Sequence, residues 1–263
     1  MEKKLPISVA IISFNEEQNI ERTLKAVLPF VSEVIIVDSH STDGTPEIAR
    51  MLGAKVYDED WKGHIAQKNS ALAKCTMPWI LCLDCDEVVD EGLRADIERA
   101  VNSGELDGYS VNRRTFYMGK FLKHSWQPDW KLRLVKRDSK PEWGGYDPHD
   151  VLKINGKTGK LRGGHLLHYS YKDIYDHYQR LVKYAKIAAQ SYHKNGEDFC
   201  YCDLVIKPAF AFIKKYILKA GFLDGYAGFA VACSSFIYVY LKYLFLKELL
   251  DEDEKNGKDN IRR

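Results

Sequence analysis

The sequence predicts an α/β protein. Its core would be a mostly parallel sheet flanked by helices, with a mixed-sheet extension and a C-terminal helical region. Three observations predict this. Short β-branched runs alternate with segments of helical periodicity through the first hundred residues, and such alternation builds parallel sheets covered on both faces. Two of the runs end on acids, Asp38 and Asp84, and ligands of open α/β sheets bind outside the carboxyl ends of the strands. The third observation is the stretch from Trp79 to Glu87, an apolar run that stops abruptly at Asp84, Asp86 and Glu87.

The elements follow in order. Ile7 to Ile12 is β-rich and reads as the first strand. Asn15 is placed to cap a helix whose first turn carries Glu16 and Glu17, where the helix dipole favours acids. Ile20, Leu24, Val27 and Leu28 recur at helical spacing, and Pro29 ends the helix. Val34 to Val37 is a second buried strand. The turn residues Ser39 to Gly44 follow, and Thr45-Pro46-Glu47 starts another helix. Lys55 to Tyr57 is a short strand, Ile65 to Lys74 a helix, Trp79 to Leu83 the fourth strand, and Asp90 to Val101 an amphipathic helix stopped by Asn102-Ser103-Gly104.

From Gly108 to about His168 the pattern changes to short β pieces: Tyr109 to Arg113, Lys131 to Val135, and His165 to Tyr169. These predict a mixed sheet forming the second half of a cleft. Lys172 to Lys194 is a long amphipathic helix. Pro208 to Phe222 is apolar with lysines at 214, 215 and 219, and Gly228 to Leu241 is uncharged. The latter is shorter than the roughly 20 apolar residues a span needs. These stretches are expected to lie in a membrane interface, with a core helix or a dimer contact as the alternative. The tail from Glu248 to Arg263 is charged and expected to be disordered.

The chain has 263 residues, 45% hydrophobic and 29% charged, with a formal net charge of +2. That is ordinary globular composition, and no global field points to nucleic acid. The six cysteines are sparse and read as reduced. Cys82-x-x-Cys85 has redox-motif spacing but straddles the end of a strand, with no matching second pair. Met1-Glu2-Lys3-Lys4 and the short apolar stretch after it do not form a signal peptide, so a cytoplasmic protein is expected.

Carboxylates clustered at a strand end repel one another unless a cation lies between them. Mg2+ and Mn2+ take oxygen ligands and commonly bridge a carboxylate to substrate phosphates. The residues alone therefore suggest a metal site for a phosphorylated substrate. The alternative is a loop whose acids begin the next helix.

Four blocks resemble the inverting family 2 glycosyltransferases. They are Ser8 to Glu16, Val37 to Thr45, Gln67-Lys68-Asn69, and Leu83-Asp84-Cys85-Asp86-Glu87, in family order over residues 5 to 105. Arg133-Leu134-Val135, Pro148-His149-Asp150, His168-Tyr169-Ser170 and Asp224-Gly225-x-x-Gly228-Phe229 are similar to a bacterial branch that adds sugars to lipopolysaccharide core, typified by the core β-1,4-glucosyltransferases. The resemblance implies a GT-A fold, a Rossmann-like domain over 1–170. A nucleotide-sugar half would cover 5–105 and an acceptor half 106–170. A helical, membrane-associating region would follow over 171–247, then the charged tail over 248–263. It further implies a nucleotide-diphosphate sugar, commonly a UDP-sugar, and Mg2+ or Mn2+.

The resemblance also implies roles. Asp38 would accept a hydrogen bond from the nucleobase, with Ser13, Asn15 and Glu16 beside it; the alternative is a turn cap for Ser41 or Thr42. Asp43 would assist or serve the turn. Lys68 and Asn69 would hold the nucleotide, Lys68 being otherwise part of a solvated helix face, and Asp84 would lie near the ribose. Asp86 and His168 would ligate the metal, His168 being otherwise a packed residue. Glu87 would support the metal or face the acceptor. Arg133 and Lys131 would clamp the diphosphate or an anionic acceptor, the alternative being a solvated strand face. Trp126, Trp130 and Trp143 would stack on sugars or belong to the core. The general base would be Asp150, with Asp147 as competitor. The branch has His-Glu where this chain has His149-Asp150, which brings the carboxylate one methylene nearer the backbone.

These readings converge on a metal-dependent inverting glycosyltransferase. It would work at the inner face of the cytoplasmic membrane on a lipid-linked glycan, with a homo-oligomer open and no nucleic-acid partner. A sugar-phosphate nucleotidyltransferase would carry a glycine-rich basic loop after its first strand. Here that position reads Ser13-Phe14-Asn15-Glu16-Glu17. An inactive scaffold would not need the acids Asp38, Asp84 and Asp86.

Overall fold

A computed structural model describes residues 4–146 and 149–261. By its contacts the chain forms two compact units, Met1–Thr115 with Pro128–Tyr169, and Phe116–Gln127 with Ser170–Arg263. In this division the segment 116–127 falls in the unit of the C-terminal helices.

The first unit is built on β1 (Leu5–Ser13), β2 (Val31–Asp38), β3 (Lys55–Asp58) and β4 (Trp79–Cys82). They pair in parallel in the order β3-β2-β1-β4. β1, β2 and β4 are buried along nearly their whole length, which is why they read as unbroken apolar runs. One face carries α1 (Glu17–Val27), α2 (Thr45–Met51) and α4 (Glu91–Ser103), whose Leu24, Ala49 and Ile97 pack with Ile7, Val9 and Ile11. The other face carries α3 (His64–Lys74) and a hairpin of β9 (Glu142–Tyr146) and β10 (His149–Lys153). There Ala71, Trp143 and Leu152 pack with Ala10, Ile35 and Ile80.

The sheet turns mixed at β4. β8 (Trp130–Lys136) pairs antiparallel with both β4 and β6 (Gly108–Tyr117). β11 (Thr158–His168) runs parallel to β6, and β5 (Glu87–Val89) pairs antiparallel with β11. β11 is longer than its sequence suggests because its first half pairs with β6 through Lys160 and Leu161. It also crosses α4 closely at Gly164, where a Cβ would lie 1.9 Å from the Leu93 nitrogen.

Asn15 does not cap α1. It adopts a left-handed backbone with φ of 55°, and its side chain accepts from the Thr42 N–H at 2.8 Å, tying the loop after β1 to the loop after β2. Asp90 does cap α4, accepting from Leu93 N–H at 2.7 Å.

In the second unit β7 (Lys120–Phe121) pairs with the end of β6. Tyr117, Trp126, Tyr171 and His177 form an aromatic cluster, with the Tyr117 hydroxyl 2.7 Å from His177 Nδ1. Asp224 accepts the backbone N–H groups of Lys123, His124 and Ser125 at 2.8 to 3.0 Å. α5 (Ile174–Lys194) packs on α7 (Gly225–Ile261), and α6 (Ile206–Ile213) packs on the same helix. α7 continues through the charged segment that the sequence suggested was disordered. Leu246, Leu249 and Leu250 keep its apolar side occupied by a cluster with Ala189 and Tyr192 of α5. From Gly221 to Asp253 the chain is long and apolar enough to cross a membrane by length and composition, which corrects the length inferred from the uncharged run alone.

Candidate active site

The candidate site lies at the carboxyl ends of β1, β2 and β4. β4 delivers Asp84, and a tight turn then carries the chain into β5. Glu87 N–H donates to the Asp84 carbonyl, and the Glu87 carboxylate accepts from Asp84 N–H at 3.0 Å. The loop is held from outside as well. Thr23 of α1 donates to the Cys85 carbonyl at 2.6 Å, and the Tyr169 N–H donates to the Asp86 carbonyl at 2.9 Å. Such bracing fixes the directions in which the acidic side chains leave the backbone.

Asp84 faces two cations. Lys68 of α3 lies 3.0 Å from one carboxylate oxygen, and Arg133 of β8 lies 2.8 Å from the other. Burial works to raise its pKa, but Arg133 and then Lys68 hold the carboxyl well below the usual range. Glu87, fully buried, accepts from Arg133 at 2.7 Å and lies 3.3 Å from Arg113. Arg113 also bonds Asp129, 2.8 Å away, and Lys131 reaches the same Asp129 at 3.3 Å. Lys68 has a second partner, Asp150 of β10, at 2.8 Å. Its ammonium also lies over the Trp143 ring, 4.4 Å from the centroid. Asp84, Lys68, Asp150, Arg133 and Glu87 are therefore one connected ionic group.

Asp86 stands apart from that group. Its carboxylate is 3.3 Å from Nε2 of His168, and His168 Nδ1 is buried without a hydrogen-bond partner. The pairing of β5 with β11 sets Glu87 opposite His168, which brings the two side chains together from positions 82 residues apart. Among the described residues no group of three or more His, Cys, Asp or Glu side chains gathers into a closed cage. One carboxylate and one imidazole fit a Mg2+ or Mn2+ ion that completes its shell with substrate phosphates and water. Asp86 and His168 are the residues here that could hold it.

At the end of β2, Asp38 is almost wholly buried. One oxygen accepts from the Ser13 and Ser41 hydroxyls, both at 2.6 Å, and the other accepts from the Ser41 N–H at 2.7 Å. The cap for Ser41 is thus present. Asp43 accepts from the Thr45 N–H and hydroxyl and from Glu17 N–H. Burial opposes those bonds, which nevertheless keep its pKa below the ordinary value. Glu16 receives the Asn19 amide at 2.8 Å. The Asn69 amide donates to the Trp143 carbonyl and accepts its N–H, at 2.9 and 2.8 Å, so both polar ends of Asn69 pin β9 to α3.

Trp143 is a core residue, buried beneath Lys68 and Arg133. Trp126 belongs to the aromatic cluster of the second unit, while Trp130 lies near Lys160 and Arg162. Asp147 lies outside the described residues. Cys82 and Cys85 are buried free thiols. Burial pushes Cys82 up to about 12 and Cys85 well above its ordinary value, so neither supplies the thiolate that disulfide exchange requires. The sequence reading missed Arg113 and Asp129. The only signal for Arg113 was a charged residue in a strand two positions after the buried Val111.

A family model, Glycosyl transferase family 2, matches residues 8–155, more than half of the chain. The chain belongs to glycosyl transferase family 2. It is 29% identical over 249 residues to the lipopolysaccharide core biosynthesis glycosyltransferase LpsC of Rhizobium meliloti, covering 90% of each chain. It is 31% identical to an uncharacterized glycosyltransferase of Rickettsia typhi, over 92% of this chain and 86% of the relative. Among solved structures it is similar to the mannosyltransferase PcManGT of Pyrobaculum calidifontis in complex with GDP-Man and Mn2+. That likeness has a TM-score of 0.54 at 15% identity, covering 93% and 88% of the two chains. It is also similar to S. aureus TarS 1-349 in complex with UDP-GlcNAc, at a TM-score of 0.50 and 14% identity over 90% and 82%. The fold is the GT-A-like mixed sheet flanked by helices. The family 2 chain is thus a glycosyltransferase related to those of lipopolysaccharide core biosynthesis.

Proposed function

We propose that this glycosyltransferase moves a sugar, with inversion, from a nucleotide-diphosphate donor to a lipid-linked cell-envelope acceptor such as lipopolysaccharide core. A UDP-sugar is the donor, and the work is done at the inner face of the cytoplasmic membrane. The observation that carries the reading is the run of contacts Asp84–Lys68–Asp150 beside the Asp86–His168 pair. It joins an acidic strand end suited to a diphosphate with a carboxylate suited to an acceptor hydroxyl. The relation to LpsC supports the envelope acceptor. The complexes of similar folds with UDP-GlcNAc and with GDP-Man and Mn2+ support a nucleotide sugar and a divalent ion.

In this reading Ser13 and Asp38 meet the nucleobase, Asn15, Glu16 and Asp43 shape the loops around it, and Asp84 lies at the ribose. Asp86 and His168 would hold Mg2+ or Mn2+, and the ion would supply Lewis-acid stabilisation of the leaving diphosphate. Arg133 fixes Asp84, and Asn69 fixes Trp143 beneath Lys68. Lys68 exchanges its contact with Asp150 for the arriving diphosphate, which frees the Asp150 carboxylate as base. The acceptor oxygen bonds to the anomeric carbon as the bond to the diphosphate oxygen breaks, and Asp150 takes the hydroxyl proton. One displacement inverts the carbon, and alignment of the two reactants supplies much of the rate.

The test is calorimetric titration of the chain with UDP, with and without Mn2+, on wild type and Asp86→Ala. Tight binding that needs Mn2+ and is lost in the variant is expected. Absence of UDP binding under both conditions overturns the donor assignment.

A further inference from the structure

The second unit presents an apolar face that none of its own elements covers. Ile206, Phe210, Ile213 and Ile217 follow one another at spacings of four, three and four, so they share one side of α6 and of the π-helical stretch Lys214–Leu218 that continues it. Each is between 46% and 65% exposed, and Leu218 and Phe222 extend the face. Contiguous exposed apolar surface of this kind marks an interaction site.

The charge beside it has one sign. Residues 205–247 contain six lysines and a single acid, Asp224. Asp224 is buried and committed to the N–H groups of Lys123, His124 and Ser125. Lys207 is paired with Asp203 at 2.9 Å. Lys214, Lys215 and Lys219 remain at the apolar rim with no carboxylate partner among the described residues. Burial, then Lys219 and Lys214, push the Lys215 ammonium below its ordinary value, as expected where like charges crowd.

We propose that this face seats the protein in one leaflet of a bilayer carrying anionic headgroups, with α7 lying along the interface and not crossing it. An apolar stripe flanked by lysines is the pattern of an interfacial element, in which hydrocarbon takes the stripe and headgroup phosphates take the ammonium groups. α7 has the length and composition of a span, but its other side is occupied. Tyr243 and Leu246 are buried against α5, and the Lys242 ammonium lies 3.9 Å over the Tyr192 ring. α5 exposes Lys183 and Lys186 on its free surface. A crossing α7 would either drag those charges into hydrocarbon or shed α5 and uncover its own packed core.

The inference deepens the membrane-surface part of the proposed function and rests on it. Its test uses no nucleotide, so the two stand or fall separately. The full chain is co-sedimented with vesicles of phosphatidylcholine alone and of phosphatidylcholine mixed with phosphatidylglycerol. Binding is expected to the mixed vesicles and to weaken as salt is added. Charge reversal in Lys214→Glu/Lys215→Glu/Lys219→Glu should weaken partitioning by at least about fivefold per lysine, from roughly 1 kcal/mol for each basic residue at an anionic surface. Phe210→Ser/Ile217→Ser, at exposed positions that leave folding intact, should lower binding to both vesicle types. Three results overturn the proposal. One is equal binding to both compositions with no effect of the lysine variant. Another is a stable dimer in solution that the Phe210→Ser/Ile217→Ser variant dissociates, which would assign the face to a second copy. The third is resistance of vesicle-bound protein to alkaline extraction, which would make α7 a span. Failure here with Mn2+-dependent UDP binding intact would remove only the membrane seat, and the converse result would remove only the donor site.

Discussion

Arg133→Met would remove the cation at the centre of the site. Arg133 is 4% exposed and reaches Asp84 at 2.8 Å and Glu87 at 2.7 Å through the same nitrogen. Methionine keeps much of the volume, so the loss is chiefly electrostatic. Glu87 would stay fully buried with only Arg113, 3.3 Å away, and Asp84 with only Lys68. Removing one member of a buried ionic group costs about 3–5 kcal/mol, because the charges left behind remain desolvated. For a chain of this size that corresponds to about 6–20 °C in Tm, from roughly 2–4 °C per kcal/mol. Urea denaturation followed by tryptophan fluorescence measures it, and Trp143, whose ring centroid is 5.7 Å from the Arg133 guanidinium, reports locally.

The cost should depend on pH with a definite sign. Arg133 helps hold the Asp84 carboxyl well below its ordinary value despite burial. A carboxyl depressed in the folded state contributes stability that is present above its unfolded pKa, near 4, and is lost as pH falls through the lower folded value. In Arg133→Met that depression is largely removed, so acid takes less from the variant than from wild type. The gap between the two should therefore narrow between pH 7 and about pH 3. A gap under about 1 kcal/mol at neutral pH, the scale of an exposed ion pair, would refute the reasoning. So would a gap that stays constant as the solution is acidified.

One further outcome concerns Asp150 in the same ionic group, and another concerns Glu33 outside it. Asp150→Asn should lower sugar transfer, measured as UDP release with acceptor-bearing membranes, by about 10²–10⁴, the usual contribution of a general base. UDP affinity in the variant should stay near wild type; an unchanged rate would move the base elsewhere. Glu33, at the other end of β2, bonds Ser8 at 2.5 Å and Lys55 at 2.8 Å. Burial opposes these bonds and that from Thr76, but together they bring its pKa down to about 2. Its contribution should be intact above about pH 4.5 and fade as pH falls toward 2, so Glu33→Gln should flatten that acid limb of a thermal-melt series.

The parallel half of the sheet was legible because β1, β2 and β4 are buried on both faces and leave unbroken apolar runs. β5 and the β9–β10 hairpin were not, since three to five residues carry too little pattern. Gly144 and Gly145 in β9 look like a turn until β10 pairs with them. α7 was cut short because its last turns are charged; the burial of Leu246 against α5 is a tertiary fact with no trace in local composition. At the site, the acids at strand ends announced themselves by type and position. Their partners did not. Arg133 lies 49 residues from Asp84, and Lys68 lies 82 from Asp150. Ion pairs that distant leave no periodicity, so a residue suited to a diphosphate clamp could not be told from one that orients a neighbouring acid.

The distribution of charge explains why Asp86, among the site acids, suits a metal. Asp84, Glu87, Asp129 and Asp150 are met by Arg133, Arg113, Lys131 and Lys68, four acids against four fixed cations. That group is compensated with no ligand bound, as burial in low dielectric demands. Among the described residues the Asp86 carboxylate has one ring or cationic partner, His168, at 3.3 Å. An imidazole and a carboxylate this close are donor types that Mg2+ or Mn2+ accepts together with phosphate oxygens. The arriving diphosphate is negative as well, and Lys68, which has two carboxylate partners, can give up one of them and still remain paired. In the proposed reaction the contact given up is the one to Asp150, and the one to Asp84 is kept.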